Sequence, residues 1–149
     1  MVKINWFVCK DVGWCDLYKI DINNKSVLNT YCIYIAWKGS GVDSSRTVLK
    51  IGQGFVQEVI INLRDDSEIS SENKHGIFFT WAKLPNYHLN GVEVYLNHLL
   101  KPKFKSNDMP DESSKVAELP WSDGEDSLSF EKLDYEDNSK KNNSMELPF

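Results

Sequence analysis

Long hydrophobic runs are missing from this chain. No segment approaches the roughly 18 consecutive apolar residues that a membrane span requires, and the first residues lack the apolar core of a secretory signal. The sequence therefore predicts a cytoplasmic protein. With 149 residues, of which 41% are hydrophobic, the chain is long enough for one core and short for two. We predict one domain over residues 1–121.

Cysteine pairs and metal-ligand clusters are scarce as well. Cys9, Cys15 and Cys32 have no Cys-x-x-Cys spacing, and the sequence holds only three histidines. An odd number of cysteines in a chain without an export signal is typical of reduced, buried thiols, so we expect all three to be reduced. The sequence has no spacing of Ser, His and Asp or of Cys and His that indicates an activated nucleophile. It therefore gives no support to serine or cysteine hydrolases.

Charge is distributed unevenly along the chain. Residues 1–105 hold 13 Lys and Arg against 10 Asp and Glu, a net of +3, whereas residues 106–149 hold 4 against 12, a net of −8. A mildly basic body can approach a polyanion, and an acidic segment repels one or occupies its site in cis. Residues 122–149 have too few apolar side chains to offset the entropy of ordering, so we predict an acidic disordered tail.

The distribution of apolar residues predicts an α+β fold. Residues 30–37 and 46–51 are rich in β-branched and aromatic types and flank a polar loop, which indicates a hairpin. The second strand is expected to end at the Gly-x-Gly of residues 52–54, followed by a helix with an apolar face from 55 to 63. Residues 77–83 predict a third strand, and residues 92–100 an amphipathic helix ended by Pro102. The expected result is a small antiparallel three-stranded sheet flanked by helices, on which residues 118–121 dock.

Two short strand motifs carry a resemblance. Cys32-Ile33-Tyr34 and then Lys50-Ile51-Gly52, followed by a helix, resemble the paired motifs of the GIY-YIG nuclease superfamily. With LRDDSEI, FFTWA, GVEVYL and ELPW in the same order, the chain is similar to small bacterial GIY-YIG-like proteins over residues 5–121. The resemblance implies a GIY-YIG-like fold and a phosphodiesterase that acts on DNA or RNA with Mg²⁺ or Mn²⁺.

The resemblance assigns roles to five positions, of which two keep the residue of the family. Tyr34 matches the first tyrosine, which positions or deprotonates the attacking water, and Glu93 matches the metal-binding glutamate. Lys50 stands at the second tyrosine, Val59 at the helix arginine and Lys105 at the asparagine. Because a preorganised cation commonly accelerates such reactions about a hundredfold or more, we expect weak or absent metal-dependent cleavage. The alternative is a non-catalytic nucleic-acid-binding or protein-interaction module in genome maintenance or defence.

Each candidate for catalysis also has an ordinary structural explanation. A tyrosine such as Tyr34 in a half-buried strand packs its ring, and a glutamate near a helix start, as predicted for Glu93, is favoured by the helix dipole. A strand lysine is usually solvated. Alternation along the strand, however, places Lys50 and Gly52 on one face and Leu49 and Ile51 on the other. The sequence leaves both explanations open.

Five further cations are candidates for phosphate binding. Arg46 and Arg64 flank the predicted hairpin and first helix, and Lys101, Lys103 and Lys105 form a cluster after the second helix. The cluster predicts a cationic patch around Glu93. The alternative is a solvated loop, because the negative end of the helix dipole favours cations after any helix. The expected partner is a nucleic acid, DNA rather than RNA.

The last residues form a separate motif. Leu147, Pro148 and Phe149 follow an acidic segment, which resembles the tip of bacterial single-stranded-DNA-binding proteins and implies a protein partner. A ring can fill an apolar pocket while the terminal carboxylate pairs with a basic side chain. Folding of the tail onto the Lys101–Lys105 cluster and a coincidental ending remain as alternatives.

Overall fold

A computed structural model describes residues 1–9, 13–39, 46–106 and 108–121, and the backbone of 130–132. Its elements follow in chain order: β1 (Trp6–Val8), β2 (Tyr31–Gly39), β3 (Arg46–Phe55), α1 (Val56–Asp65), α2 (Ser67–Ser70), β4 (Phe78–Ala82), α3 (Asn86–Leu100) and β5 (Phe130–Lys132).

The main sheet has three antiparallel strands in the order β3-β2-β4. β2 is the central strand, paired from Tyr31↔Phe55 to Gly39↔Arg46 with β3 and from Ile33↔Ala82 to Trp37↔Phe78 with β4. The α+β class and the three predicted strands are therefore confirmed. The predicted hairpin loop covers residues 38–45, of which Lys38 and Gly39 belong to β2 and 40–45 lie outside the described residues.

Alternation along β2 gives the sheet two apolar faces. Cys32, Tyr34 and Ala36 pack in one cluster with the buried residues of α1, whereas the intervening Ile33 and Ile35 pack with α3. Strands buried on both faces read as continuous apolar runs, which explains the density of apolar residues in this stretch. The sheet is thus a central layer with one helix on each side.

β3 does not end where the glycine pair predicted. It continues through Gly52 and Gly54 to Phe55, and α1 begins at the next residue. A Cβ atom at Gly54 would lie 2.8 Å from Cγ2 of Val59, so this glycine allows the first turn of α1 to pack closely on its own strand. Val59 is partly buried against the core, in agreement with its assignment to the apolar stripe.

A β-bulge in β3 changes which side chains share a face. Ala36 pairs with Lys50 and Trp37 pairs with Val48, which leaves Leu49 as an extra residue. Two residues of a bulged strand then oppose one residue of the partner. Leu49 packs in the cluster that contains Ala36 and Tyr34, so it shares a face with Lys50. The predicted separation of Lys50 from Leu49 is wrong, while its separation from Ile51 holds.

Helix α3 begins at Asn86, earlier than predicted. Residues 86–91 include asparagine and glycine, which are weak helix formers, and this obscured the start of the helix. Gly91 is buried, and its carbonyl accepts a hydrogen bond from Lys115 N at 2.9 Å. The helix ends at Leu100, and Lys101 adopts a left-handed conformation with φ of 48° before Pro102.

Residues 118–121 dock on the body as expected. The Glu118 side chain accepts from Ile4 N at 2.9 Å, and its carbonyl accepts from Trp6 Nε1 at 3.0 Å. Trp121 packs edge-on against Trp37, with ring centroids 5.1 Å apart. The N-terminal strand that these contacts hold, β1, was not predicted.

The predicted disordered tail contains one described element. β5 pairs in parallel with β1, from Trp6↔Phe130 to Val8↔Lys132. At these three residues the structure differs from the prediction of disorder. The rest of 122–149 lies outside the described residues, and so does the Leu147-Pro148-Phe149 tip.

Cys9 and Cys15 form a disulfide, so the prediction that all thiols are reduced is wrong for this pair. An antiparallel bridge between Cys9 and Gly13 turns the chain back, and the two cysteine Cα atoms are 5.2 Å apart, within disulfide range. Cys32 is free and buried. Among the described helices, none has the length and apolar character needed to cross a membrane.

Candidate functional site

A cavity of about 500 Å³ opens beside β3. It brings together Tyr34 of β2, Lys50 of β3 and Glu93 of α3, the three residues that the sequence indicated for catalysis. The other lining residues come from β3, α3 and the segment that follows α3: Ile51, Gly52, Gln53, Asn90, Ser106, Asp108 and Pro110.

The position of the cavity follows from the sheet order, because β3 is an edge strand. At one end of that edge, Lys103 N donates to the Val48 carbonyl and Phe104 N to the Leu49 carbonyl, both at 2.9 Å. These bonds occupy main-chain groups that an edge strand otherwise leaves unpaired. The cavity lies just beyond them, where the chain passes over Lys50 and its neighbours.

The Tyr34 ring is buried but its hydroxyl reaches the cavity. The ring stacks on Phe79 with centroids 5.4 Å apart, and the hydroxyl lies over Gly52, where a Cβ atom would be 2.8 Å from it. Burial raises the pKa of Tyr34, and the nearby Cys32 and Glu93 raise it further. At neutral pH the phenol is therefore protonated, so it acts as a hydrogen-bond donor and not as a base.

Glu93 is a buried carboxyl group, with only 3% of its surface exposed. It is the eighth residue of α3, and the helix dipole acts within the first turn, so the dipole does not account for this glutamate. Burial raises its pKa, whereas the hydrogen bond from Gln53 lowers it, and the net direction is upward. A buried acid with a raised pKa that lines a cavity is a candidate for a functional site.

Gln53 links the cavity residues and was missed by sequence reasoning. Its Nε2 donates to Glu93 Oε1 at 2.8 Å and to Asn90 Oδ1 at 2.7 Å, and its Oε1 accepts from the Tyr31 hydroxyl at 3.1 Å. Asn90 Nδ2 in turn donates to Glu112 Oε1 at 3.0 Å. The position of Gln53 between two glycines of a strand motif was the only signal in the sequence.

Two carboxyl groups line the cavity and could hold a divalent ion. Within the described ranges no group of three or more His, Cys, Asp or Glu side chains is placed to hold a metal, yet Glu93 and Asp108 line the same cavity. Mg²⁺ keeps several waters and binds through one or two carboxylates together with substrate phosphates. Glu93 and Asp108 are the side chains that would hold it.

The predicted lysine cluster is divided by the fold. Lys101 and Lys105 line a neighbouring cavity of about 490 Å³, whereas Lys103 forms an ion pair with Glu72 at 2.6 Å. Glu72 also pairs with Lys38 at 2.7 Å. Hydrogen bonds from the two ammonium groups, that of Lys103 being the stronger, lower the pKa of Glu72 to about 2. Lys103 therefore faces a carboxylate, which reduces the cationic patch to Lys101 and Lys105.

Both candidate arginines lie outside the residues that line the cavity. Arg64 Nε donates to the Leu17 carbonyl at 2.9 Å and Nη2 to the Ile20 carbonyl at 2.7 Å, which fastens this turn to α1. The Arg46 guanidinium lies 4.8 Å from the centre of the Trp121 ring. The fold therefore uses Arg64 for packing and places Arg46 beside the docked residues 118–121.

No family model, curated protein or solved structure matches the chain. The likeness to the GIY-YIG superfamily therefore stays a prediction that rests on the residues quoted above.

Proposed function

We propose that the chain is a divergent GIY-YIG-like domain that binds nucleic-acid phosphodiesters in the Tyr34–Lys50–Glu93 cavity and cleaves them weakly or not at all. One observation carries the proposal. Three residues chosen from motif positions, far apart in sequence and located on three elements, line a single cavity. The same proposal places the protein in the cytoplasm, where nucleic acid is present.

The three residues divide the binding of a phosphodiester among them. Lys50 supplies a compact positive charge for a phosphate oxygen, and the protonated Tyr34 hydroxyl donates a hydrogen bond. Glu93 is held in one orientation by Gln53. A divalent ion at Glu93 and Asp108 would supply charge stabilisation at phosphorus when it is bound.

The same geometry accounts for weak chemistry. Burial raises the pKa of Tyr34 above its usual 10, so the ionised form that could act as a base is even rarer at neutral pH. Val59 packs against the core where the family has arginine, and neither Arg46 nor Arg64 lines the cavity. A missing preorganised cation is commonly worth about a hundredfold or more in rate.

A binding measurement with matched lysine variants tests the proposal. Fluorescence anisotropy of a labelled oligonucleotide is measured over a salt series with the wild type, Lys50→Met and Lys83→Met. Lys83 is exposed and does not line the cavity, so it serves as the control. Removing a phosphate contact weakens binding and lowers the salt slope by about one, so Lys50→Met should show both effects and Lys83→Met neither. Equal effects of the two variants would refute the site.

A cleavage assay separates the catalytic form of the proposal from the non-catalytic one. Single-stranded, duplex and branched DNA are incubated with Mg²⁺ or Mn²⁺ and either the wild type or Glu93→Ala. Cutting that disappears in Glu93→Ala supports weak catalysis in this cavity. Binding without cutting supports the non-catalytic module, whereas cutting that persists in Glu93→Ala rules out the assigned site.

A further inference from the structure

A cavity of about 490 Å³, separate from the one that Lys101 and Lys105 line, forms a second cavity of the candidate site next to the Tyr34–Lys50–Glu93 cavity, and two exposed aromatic rings line it. Tyr31 and Phe55 are cross-strand partners at the end of the β2–β3 ladder, with ring centroids 5.1 Å apart at 90°. Tyr31 is 39% exposed and Phe55 is 48% exposed. A cross-strand aromatic pair stabilises a hairpin, but this pair leaves much of its ring surface in solvent.

The two cavities share lining residues. Gln53 and Asn90 line both of them, and the Tyr31 hydroxyl donates to Gln53, whose amide holds Glu93. The exposed side chain of Asn86 also lines the second cavity. The aromatic surface is therefore surrounded by side-chain amides, which can both donate to and accept from the edge of a base.

We propose that Tyr31 and Phe55 form a stacking platform for an unpaired nucleobase of a strand that also places a phosphate in the Lys50–Glu93 cavity. This inference rests on the proposed function and specifies its substrate class as single-stranded nucleic acid. Aromatic rings bind bases through their faces, whereas the bases of a duplex are stacked on one another and unavailable. Lys50 lies on the same edge strand as Phe55, five residues away and on the other face of the sheet. A strand of a few nucleotides that passes along this edge can therefore make both the stacking and the phosphate contact that single-strand binding combines.

The test compares strands that differ only in their bases. Affinities of the wild type, Phe55→Ala and Tyr87→Ala are measured for an oligothymidylate, an abasic strand of equal length and a duplex. Tyr87 is the matched control because it is an exposed aromatic residue of α3, 68% exposed, that lies outside both cavities. Phe55→Leu and Phe55→Trp are added to separate loss of the ring from loss of folding.

Stacking predicts a specific pattern of affinities. Phe55→Ala and Phe55→Leu should bind oligothymidylate about tenfold more weakly, Phe55→Trp should bind it at least as well as the wild type, and Tyr87→Ala should not differ. The wild type should bind the abasic strand as weakly as Phe55→Ala binds oligothymidylate, and duplex affinity should be the same in all variants.

Three results would overturn the inference, and they are distinguishable from one another. If Phe55→Ala binds oligothymidylate as tightly as the wild type, the stacking platform is rejected and the proposed function is not affected. Absence of binding to all three ligands rejects the proposed function, and the platform with it. A dimer in light scattering that dissociates in Phe55→Ala, with unchanged affinity for oligothymidylate, would assign the aromatic pair to self-association.

Discussion

The hydroxyl of Tyr34 occupies the space where Gly52 would carry a side chain, 2.8 Å from the position of its missing Cβ. The two residues are register partners on β2 and β3, so the glycine leaves the phenol a path past the edge strand. This contact explains why a strand motif contains glycine where β-branched residues would be better strand formers. It also connects the core of the domain to the candidate site.

Gly52→Ala is therefore expected to destabilise the fold. The added methyl group forces Tyr34 to move within a packed core, and overpacking of this kind costs about 1–3 kcal/mol in the free energy of unfolding. Urea denaturation measures the loss. Gly39→Ala is the control, because a Cβ there meets no atom within 4 Å, and its stability should match the wild type or exceed it by less than about 1 kcal/mol. Equal stability of both variants would contradict the contact.

Glu93→Gln is expected to raise stability at neutral pH while weakening ligand binding. Because burial raises the pKa of Glu93 above its usual 4.5, the charged form opposes folding once the pH exceeds the folded pKa. As the pH falls through the folded pKa toward 4.5, the carboxyl group protonates first in the folded state and this cost disappears. The glutamine variant should thus be more stable than the wild type at neutral pH and lose that advantage below about pH 4.5.

Denaturation curves of the wild type and Glu93→Gln across this pH range provide the measurement. Glu58→Gln is the control, since Glu58 is an exposed carboxylate on α1 and surface substitutions change stability by less than about 0.5 kcal/mol. A Glu93→Gln variant that is less stable than the wild type at neutral pH would mean that the carboxylate serves the fold and not a ligand.

The parts of the fold that could be predicted are those encoded in neighbouring residues. Residues 30–37, 46–51 and 77–83 signal strands by their own composition, and the apolar face of α1 is visible as a period within one segment. Tyr34 and Glu93 were located through a family resemblance, because a tyrosine in a strand and a glutamate in a helix are common in any core. Their meeting in one cavity depends on the packing of α3 against the sheet.

The parts that escaped prediction depend on partners distant in sequence. The bulge at Leu49 is defined only by the register with β2, and the Gln53–Glu93 bond joins residues separated by 40 positions. The disulfide between Cys9 and Cys15 requires a backbone bridge at Gly13 that the sequence did not reveal. The ion pair of Lys103 was not predicted for the same reason, because its partner Glu72 lies 31 positions away.

Arg64 is expected to affect stability and not nucleic-acid binding. Its guanidinium donates to the carbonyls of Leu17 and Ile20, and hydrogen bonds to charged groups contribute about 1.5–3 kcal/mol each. Arg64→Met should lower the unfolding free energy by about 3 kcal/mol or more, and Arg64→Lys should recover part of the loss. Oligonucleotide affinity, measured where each variant is folded, should equal that of the wild type. A folded Arg64 variant that binds the oligonucleotide more weakly than the wild type would show that Arg64 contacts phosphate.

The ion pairs of Glu72 with Lys38 and Lys103 predict a pH-dependent contribution to stability. The folded pKa of about 2 lies below the usual 4.5, so the stabilisation is fully present above pH 4.5 and is lost as the pH falls toward 2. Glu72→Gln should be less stable than the wild type at neutral pH, and the gap should narrow below pH 4.5 and close near pH 2.

Acid titration of both proteins, monitored by tryptophan fluorescence in fixed urea, would show this convergence. Glu68→Gln removes an exposed carboxylate from the neighbouring helix α2, and at neutral pH it should change stability by less than about 0.5 kcal/mol.

The same variants also bear on nucleic-acid binding. Glu72→Gln frees Lys103 from its carboxylate, so oligonucleotide affinity should rise if the lysines after α3 contact phosphate. An unchanged affinity would exclude Lys103 from the phosphate contacts.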